Sequence, residues 1–188
     1  MTKYRTICAD FPWPYGDPGV RGGTKRHYAA MSMDQIRAMP VGDLAEDESH
    51  LYLWTTNSFM AEAISLFDAF GFTYKTCVTW VKMNPKTHKV AIGNGYWFRA
   101  STEHLLFGVR GKLGPGVRNL PTHVFAPRRA HSEKPVEAYD VMEKMSPYFR
   151  LELFARGDGR KNWDRWGDQA ADGDGRVFLP ALDAAAAG

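Results

Sequence analysis

The sequence predicts an α/β fold, a sheet with helices packed on its faces, built as one domain. Three observations carry that prediction. Strand-like apolar runs alternate with amphipathic helical stretches. A length of 188 residues with 44% hydrophobic and 24% charged content suits one globular unit with a proper core. No internal repeat and no linker divides the chain. The domain is expected over 1–169, with 170–188, ending "LDAAAAG", as a flexible tail that has little to pack.

"YRTICA" (4–9) reads as the first strand. "SMDQIRAM" (32–39) reads as a helix, with Ser32 and Gln35 at capping-box spacing and Pro40 as the stop. "HLYLWT" (50–55) is a second strand, after which Asn57 is expected to cap a helix. Phe59, Met60, Ala63, Ile64, Phe67 and Phe70 recur there at helical spacing, and Gly71 ends it. "TYKTCVTWVK" (73–82) and "HLLFGVR" (104–110) are further strands, separated by a long mixed segment, 83–101. A Gly/Pro-rich loop (111–122) and a short "HVFA" precede a helix with Pro135 expected at its first position. Val136, Tyr139, Met142 and Met145 make the core stripe of that helix. "FRLELFAR" (149–156) is the last strand, and "GDGRKNWDRWGDQ" is expected as loop.

Cys8 and Cys77 lie in strand-like runs and read as buried free thiols of a reducing compartment. No leader precedes Asp10 and no apolar run approaches 18 residues, so a cytoplasmic protein without a membrane span is expected. The six histidines and two cysteines show no metal-ligand spacing, so no metal is expected. The net charge of +3 is unevenly spread. Lys82, Lys86, Lys89, Arg99, Arg110, Lys112, Arg118, Arg128 and Arg129 face one acid, Glu103, between Lys82 and His131. That segment is +8 and the remainder −5, which points to a polyanion-facing surface as well as to ordinary solvated loops.

The chemistry concentrates at "ICADFPWPYGD" (7–17), where a strand ends on Asp10 and three aromatic rings follow among prolines. A carboxylate just past the C-terminal end of a strand sits where open α/β sheets bind ligands. Pro12 and Pro14 stiffen the backbone and restrict the residues before them. An Asp acceptor, a rigid carbonyl beside it and the Trp13 ring suit a flat base with an exocyclic amine. The amine donates one hydrogen to the carboxylate and one to the carbonyl, while the base stacks. The lone pair of adenine N6 is delocalised into its ring. Two acceptors placed off the ring plane favour a pyramidal nitrogen and stabilise the charge growing on it during attack. Asp10 need not be a strong base, because the product ammonium is acidic.

"DFPW" resembles the Asp-Pro-Pro-Trp motif of S-adenosylmethionine-dependent N6-adenine methyltransferases. The resemblance is to the family that includes the catalytic subunit of the eukaryotic messenger-RNA adenosine methyltransferase, with bacterial and phage homologues. "YAAMSMDQIRAMPV", "HLYLWTTN", "TWVK", "GYWFRASTEHLLFGVRGK", "APRRAHSEKPVEAY", "SPYFRLELFAR" and "NWDRWGDQ" are similar to family blocks in the family's order, from about Tyr4 to Gln169. The resemblance implies a Rossmann-like methyltransferase fold, a mainly parallel sheet flanked by helices, with the catalytic motif ahead of the cofactor-binding strand. It implies S-adenosyl-L-methionine as cofactor and Asp10, Phe11 (through its carbonyl), Pro12 and Trp13 as the catalytic motif. Asp10 borders the cofactor too. Lys134 would meet the methionine carboxylate. Leu153, Phe154, Arg156 and Asp158 would line the adenosine, and Asp168 and Gln169 would bond the ribose. Tyr15, Tyr28, Lys82, Arg99 and Arg128 are the expected substrate side, beside the motif or in the basic segment.

Phe11 stands where the family has its first proline, and a Phe11→Pro substitution is expected to keep or raise turnover, since only the carbonyl is needed. "GDQ" carries Asp where many relatives carry Asn. Only nine residues precede Asp10, so the adenine contact that an acidic segment ahead of the motif makes in the larger eukaryotic relatives is expected to come from elsewhere or to be missing. The loops 14–31, 83–101 and 111–130 are the places left to read sequence context, alone or with a partner subunit or second copy. Likeness to the compact bacterial and phage members favours DNA over RNA as substrate. A non-catalytic nucleic-acid-binding subunit is the competing reading, and it would be expected to lose Asp10, Trp13, Lys134 and Gln169, all of which are present. An enzyme acting on cytosine N4 would usually carry Ser at position 10.

Overall fold

The computed structural model describes residues 2–15, 30–129, 133–157, 159–167, 169–170 and 175–187. Nine strands and four helices follow in order among them: β1 (Tyr4–Ala9), α1 (Met33–Ala38), β2 (Ala45–Thr55), α2 (Met60–Ala69), β3 (Thr73–Met83), β4 (Thr102–Arg110), β5 (His123–Pro127), α3 (Val136–Met145), β6 (Arg150–Leu153), β7 (Arg156–Gly157), β8 (Trp163–Trp166), β9 (Gln169–Ala170) and α4 (Pro180–Ala187).

Seven strands form one sheet in the order β5-β3-β4-β2-β1-β6-β8, and β7 pairs with β9 apart from it. Only β4 runs against its neighbours; every other pairing in the sheet is parallel. The fold is therefore the expected Rossmann-like methyltransferase α/β fold, a mostly parallel sheet flanked by helices. Strand alternation builds a core on both faces. Ile7, Ala9, Leu51, Leu53, Leu151 and Leu153 pack with Ile36 of α1, Leu66 and Phe67 of α2 and Leu182 of α4. Cys8, Tyr52, Trp54, Trp80 and Leu105 pack with Ala138 and Met142 of α3 on the other face.

Local signals explain the helix ends. Ser32 accepts from the Gln35 amide and Gln35 reaches back to the Ser32 amide, closing the capping box. Gly71 follows α2 at φ +75, the left-handed conformation that ends helices cheaply only at glycine. Three expectations change. Asn57 lies in a short 3-10 turn, and its side chain bonds His104 Nε2 at 2.6 Å instead of capping α2. The segment expected as loop after residue 156 contains β8, because Trp163, Arg165 and Trp166 are buried and extend the sheet beside β6. Part of the tail expected to be flexible forms α4, with Leu179 and Leu182 buried and Asp183 accepting from Trp166 Nε1 at 2.8 Å. The small alanines around Leu182 hid a helix whose anchoring residues are few.

Both cysteines are free as expected, but only Cys8 is buried; Cys77 is half-exposed and lies 3.7 Å from His104 Nδ1. The basic segment is divided by the topology. Arg110 is spent on the carbonyls of Gly42, Phe70 and Gly71, tying β4 to the end of α2. The loop after β4 starts at the end of the sheet remote from Asp10, where Gly116 bonds the Met145 carbonyl and His50 bonds that of Leu113. Of the three loops expected to read sequence context, that stretch therefore lies away from the motif. The loop 84–101 and the residues after β5 instead leave from the end at which β1 delivers Asp10. No described helix is long and apolar enough to cross a membrane.

Candidate active site

β1 is a central strand, paired with β2 on one side and β6 on the other, and Asp10 follows its last residue. Parallel strands present their C-terminal ends together there, so Asp10, Thr56 and Phe154 leave the sheet at one edge. The backbone then turns sharply. Trp13 N donates to Phe11 O at 2.9 Å, Tyr15 N to Trp13 O at 2.8 Å and Met31 N to Pro12 O at 3.0 Å. Each carbonyl keeps a second lone pair, so Phe11 O can still accept.

Asp10 Oδ2 lies 3.0 Å from Lys134 Nζ, at the turn into α3. The same ammonium lies 3.1 Å from Glu103 Oε2, and Glu103 Oε1 takes Lys82. Two carboxylates and two ammoniums thus form an Asp10–Lys134–Glu103–Lys82 chain across β1, β3, β4 and α3. Burial disfavours the Lys134 charge, yet Asp10 and Glu103 hold its pKa above the ordinary lysine value. Burial likewise opposes the Glu103 charge, and Lys134 and Lys82 outweigh it, holding that carboxyl below its usual range. Lys134 also sits 5.2 Å over the Trp54 ring. An ammonium has three donors, and among the described residues two of those of Lys134 are used.

The aromatic residues divide in an unforeseen way. Phe11 is buried, its ring against Phe70, Phe154 and Trp13. Trp13, expected to stack a base, is only 5% exposed; it donates to Trp54 O at 3.1 Å and stacks on Phe59. The most exposed ring beside Asp10 is Tyr15, 48% exposed, edge to face with Phe59 at 4.9 Å and with its hydroxyl 3.0 Å from Thr56 Oγ1. Burial raises the Tyr15 pKa, with Glu103 and Asp10 adding to the rise.

Leu153 is fully buried, and Phe154 packs between Phe11 and Trp166, so both side chains belong to the core. What they present at the strand end is backbone, bent at Phe154 by φ +59. Arg156 lies on β7 paired with Gln169 of β9. Lys82 is engaged by Glu103, whereas Arg99 and Arg128 are exposed at the same end of the sheet. Tyr28, Asp158 and Asp168 lie outside the described residues.

Glu103 and Glu152 escaped sequence reasoning. Glu103 had a signal: it is the one acid among nine cations, at the start of a strand. Glu152 had a weaker one, a carboxylate alternating with Leu151 and Leu153. It accepts from the Tyr139 hydroxyl, and burial raises its pKa, with the Asp10 charge contributing. Among the described residues no group of three or more His, Cys, Asp or Glu could hold a metal ion.

A family model described as MT-A70 matches residues 4–169. The chain is 32% identical, over 90% of its length, to a protein named Type II methyltransferase M.MunI from a Mycoplasma species, 79% of which is covered. It is 32% identical over 90% of its length to an N(6)-adenosine-methyltransferase MT-A70-like protein of Drosophila melanogaster, with 27% of that protein covered. It is 29% identical over the same share to the N(6)-adenosine-methyltransferase catalytic subunit METTL3 of Homo sapiens, with 28% covered. The chain thus spans most of the first relative and about a quarter of the animal ones.

Proposed function

The chain belongs to the MT-A70 family, and from that premise we propose that it is an N6-adenine methyltransferase acting on nucleic acid with S-adenosyl-L-methionine. The observation that carries this reading is Asp10 at the end of the central strand, followed by the Phe11 carbonyl and paired with Lys134. We favour DNA as the substrate on the likeness to compact bacterial and phage members, in keeping with a chain that spans 79% of a relative named Type II methyltransferase M.MunI and 28% of the human adenosine enzyme.

The residues fit the cofactor in one testable respect. Lys134 is nearly buried, is held charged by its partners, and among the described residues uses two of its three donors, which leaves the third for the methionine carboxylate. Leu153 and Phe154 would border the adenosine by backbone and ring edge, with Arg156 and Gln169 on the adjoining short sheet. When bound, S-adenosylmethionine supplies an electrophilic methyl carbon and a thioether leaving group.

Asp10 and the Phe11 carbonyl accept the two N6 hydrogens, orient the nitrogen lone pair and stabilise its developing charge. Tyr15, half-exposed next to Asp10 and edge to face with Phe59 at 4.9 Å, is the ring that would border the base. Trp13 braces the motif from beneath by its bond to Trp54. The product ammonium carries the new methyl group and two hydrogens, is acidic, and loses the extra proton to water to give the neutral N6-methyl amine. A base in a duplex must first leave the stack, at about a few kcal/mol.

The test is methyl transfer from tritiated S-adenosylmethionine to single- and double-stranded DNA and RNA oligonucleotides, with digestion to identify the modified base. N6-methyladenine formed by the protein and absent with Asp10→Ala supports the reading. Cofactor binding without transfer to any polymer would count against a stand-alone enzyme.

A further inference from the structure

β3 and β4 are joined by an eighteen-residue loop, 84–101, that leaves the sheet at the end carrying Asp10 and returns one residue before Thr102. Its root belongs to the site already described, since Lys82 precedes the loop and Glu103 follows it, and the two are ion-paired. From that root a finger is built by backbone bonds. Lys82 N donates to Ser101 O, Ala91 N to Lys82 O, Gly93 N to Ala100 O and Ala100 N to Asn94 O. Ala91 is buried and pins the finger, and Arg99 Nε braces it by donating to Gly93 O at 2.6 Å. Gly95 is required at the bend: a Cβ there would fall 1.9 Å from Phe98 O.

The finger presents Tyr96, Trp97 and Phe98, which are 91%, 86% and 92% exposed. Three adjacent rings almost wholly in water form a surface that gains by being covered. Among the described residues no hydrogen bond or ion pair engages their side chains, and Tyr96 and Trp97 meet edge to face at 5.0 Å. Their flanks are basic. Lys86, Lys89 and Arg99 are exposed on the same loop, Arg128 follows β5 at the same end, and no acid occurs in 84–101. Aromatic rings among cations match a chain of bases and phosphates. A second copy of this protein would bring the same basic finger.

Resting on the N6-adenine reading, we propose that Tyr96, Trp97 and Phe98 form a base-stacking finger that engages nucleic acid beside the target adenine. The finger grips unstacked neighbours of that adenine, or replaces its stack once the base has left. Stacking of this kind tolerates any base. It therefore supplies affinity near the site without reading sequence.

The test compares the wild-type chain with a Tyr96→Ser/Trp97→Ser/Phe98→Ser variant and with Trp97→Phe, which keeps a ring. Fluorescence anisotropy measures binding to labelled single-stranded DNA, duplex DNA and single-stranded RNA across a salt series, without cofactor. Circular dichroism and light scattering check fold and oligomeric state. The expected result is that the triple variant binds at least one polymer on the order of tenfold more weakly, with its salt slope unchanged and its fold intact. Trp97→Phe keeps most of the affinity. Unchanged binding to every polymer by the triple variant overturns the inference, as does a wild-type chain that binds none. A dimer that the triple variant turns into a monomer, with oligonucleotide binding retained, also overturns it and marks the finger as a protein contact. Because binding is read without methyl transfer, a chain that uses the finger but transfers nothing upholds the inference while removing the enzymatic reading.

Discussion

Lys134 Nζ lies 3.0 Å from Asp10 Oδ2 and 3.1 Å from Glu103 Oε2, so one nearly buried cation holds two carboxylates together at the end of the central strand. Removing it leaves like charges facing each other in a site with little water. Breaking a buried pair by deleting one partner costs about 3–5 kcal/mol, and partial exposure here puts Lys134→Met at or below the lower end of that range. Lys134→Met is expected to lower the melting temperature and to weaken S-adenosylhomocysteine binding in calorimetric titration. Adding Asp10→Asn should recover part of the lost stability without recovering binding. Full additivity of the two substitutions would mean that the pair is not coupled.

Phe11 changes status between sequence and structure. Its carbonyl survives replacement by proline, but its buried ring against Phe70, Phe154 and Trp13 does not. Truncating a buried Phe to Ala costs about 3–5 kcal/mol, and proline fills the site little better. Phe11→Pro is therefore expected to be markedly less stable, with turnover per folded molecule retained at low temperature. Phe11→Leu should lose less. Equal melting temperatures for wild type and Phe11→Pro would show that the ring adds nothing.

Leu182 tests the C-terminal helix in the same way. It is fully buried against the face of the sheet that also receives α1 and α2. Leu182→Ala should cost about 2–5 kcal/mol in denaturant titration. A flexible tail would give no change, and exposed Phe178 serves as the control, since Phe178→Ala should fall within about 0.5 kcal/mol of wild type.

Apolar runs made β1 to β6 readable, dense in β1 and β2 and alternating in β5 and β6, where Val124 and Ala126 or Leu151 and Leu153 are buried. Two helix ends carried local signals, the Ser32–Gln35 capping box and Gly71 after α2. β8 was not readable, because "WDRW" is polar by composition and becomes buried only beside β6. The motif Asp10 and Lys134 were legible through family likeness, yet their mutual contact was not, since ion pairing between distant segments leaves no local pattern. Trp13 and Tyr15 show the same limit. Composition gives three rings beside Asp10, but only packing decides which is braced under Trp54 and Phe59 and which stays half-exposed. Charge counting likewise grouped Arg110 with the nucleic-acid side, although topology commits it to carbonyls at the end of α2.

His50 predicts how stability depends on pH. Its Nδ1 bonds Ser146 Oγ at 2.7 Å, Tyr52 bonds the same hydroxyl, and the ring is buried at the end of the sheet remote from Asp10. Burial lowers its pKa, the Leu113 carbonyl opposes this, and the Arg5 charge adds to the lowering. A folded pKa below the unfolded value of about 6.5 means that the unfolded chain binds more protons as the solution is acidified. Stability is then fully present above that value and declines as pH falls through it toward the folded pKa. His104, half-buried and lowered in the same direction, adds a decline of the same sign. Glu103 acts lower on the scale: its depressed pKa contributes stability above the ordinary carboxylate range that is lost only as pH falls through the folded value. Urea titrations should thus show a first loss beginning near pH 6.5 and a second in the carboxylate range. His50→Asn, which keeps a polar partner for Ser146, should flatten the first and leave the second. A first loss unchanged in that variant would assign it to groups other than His50.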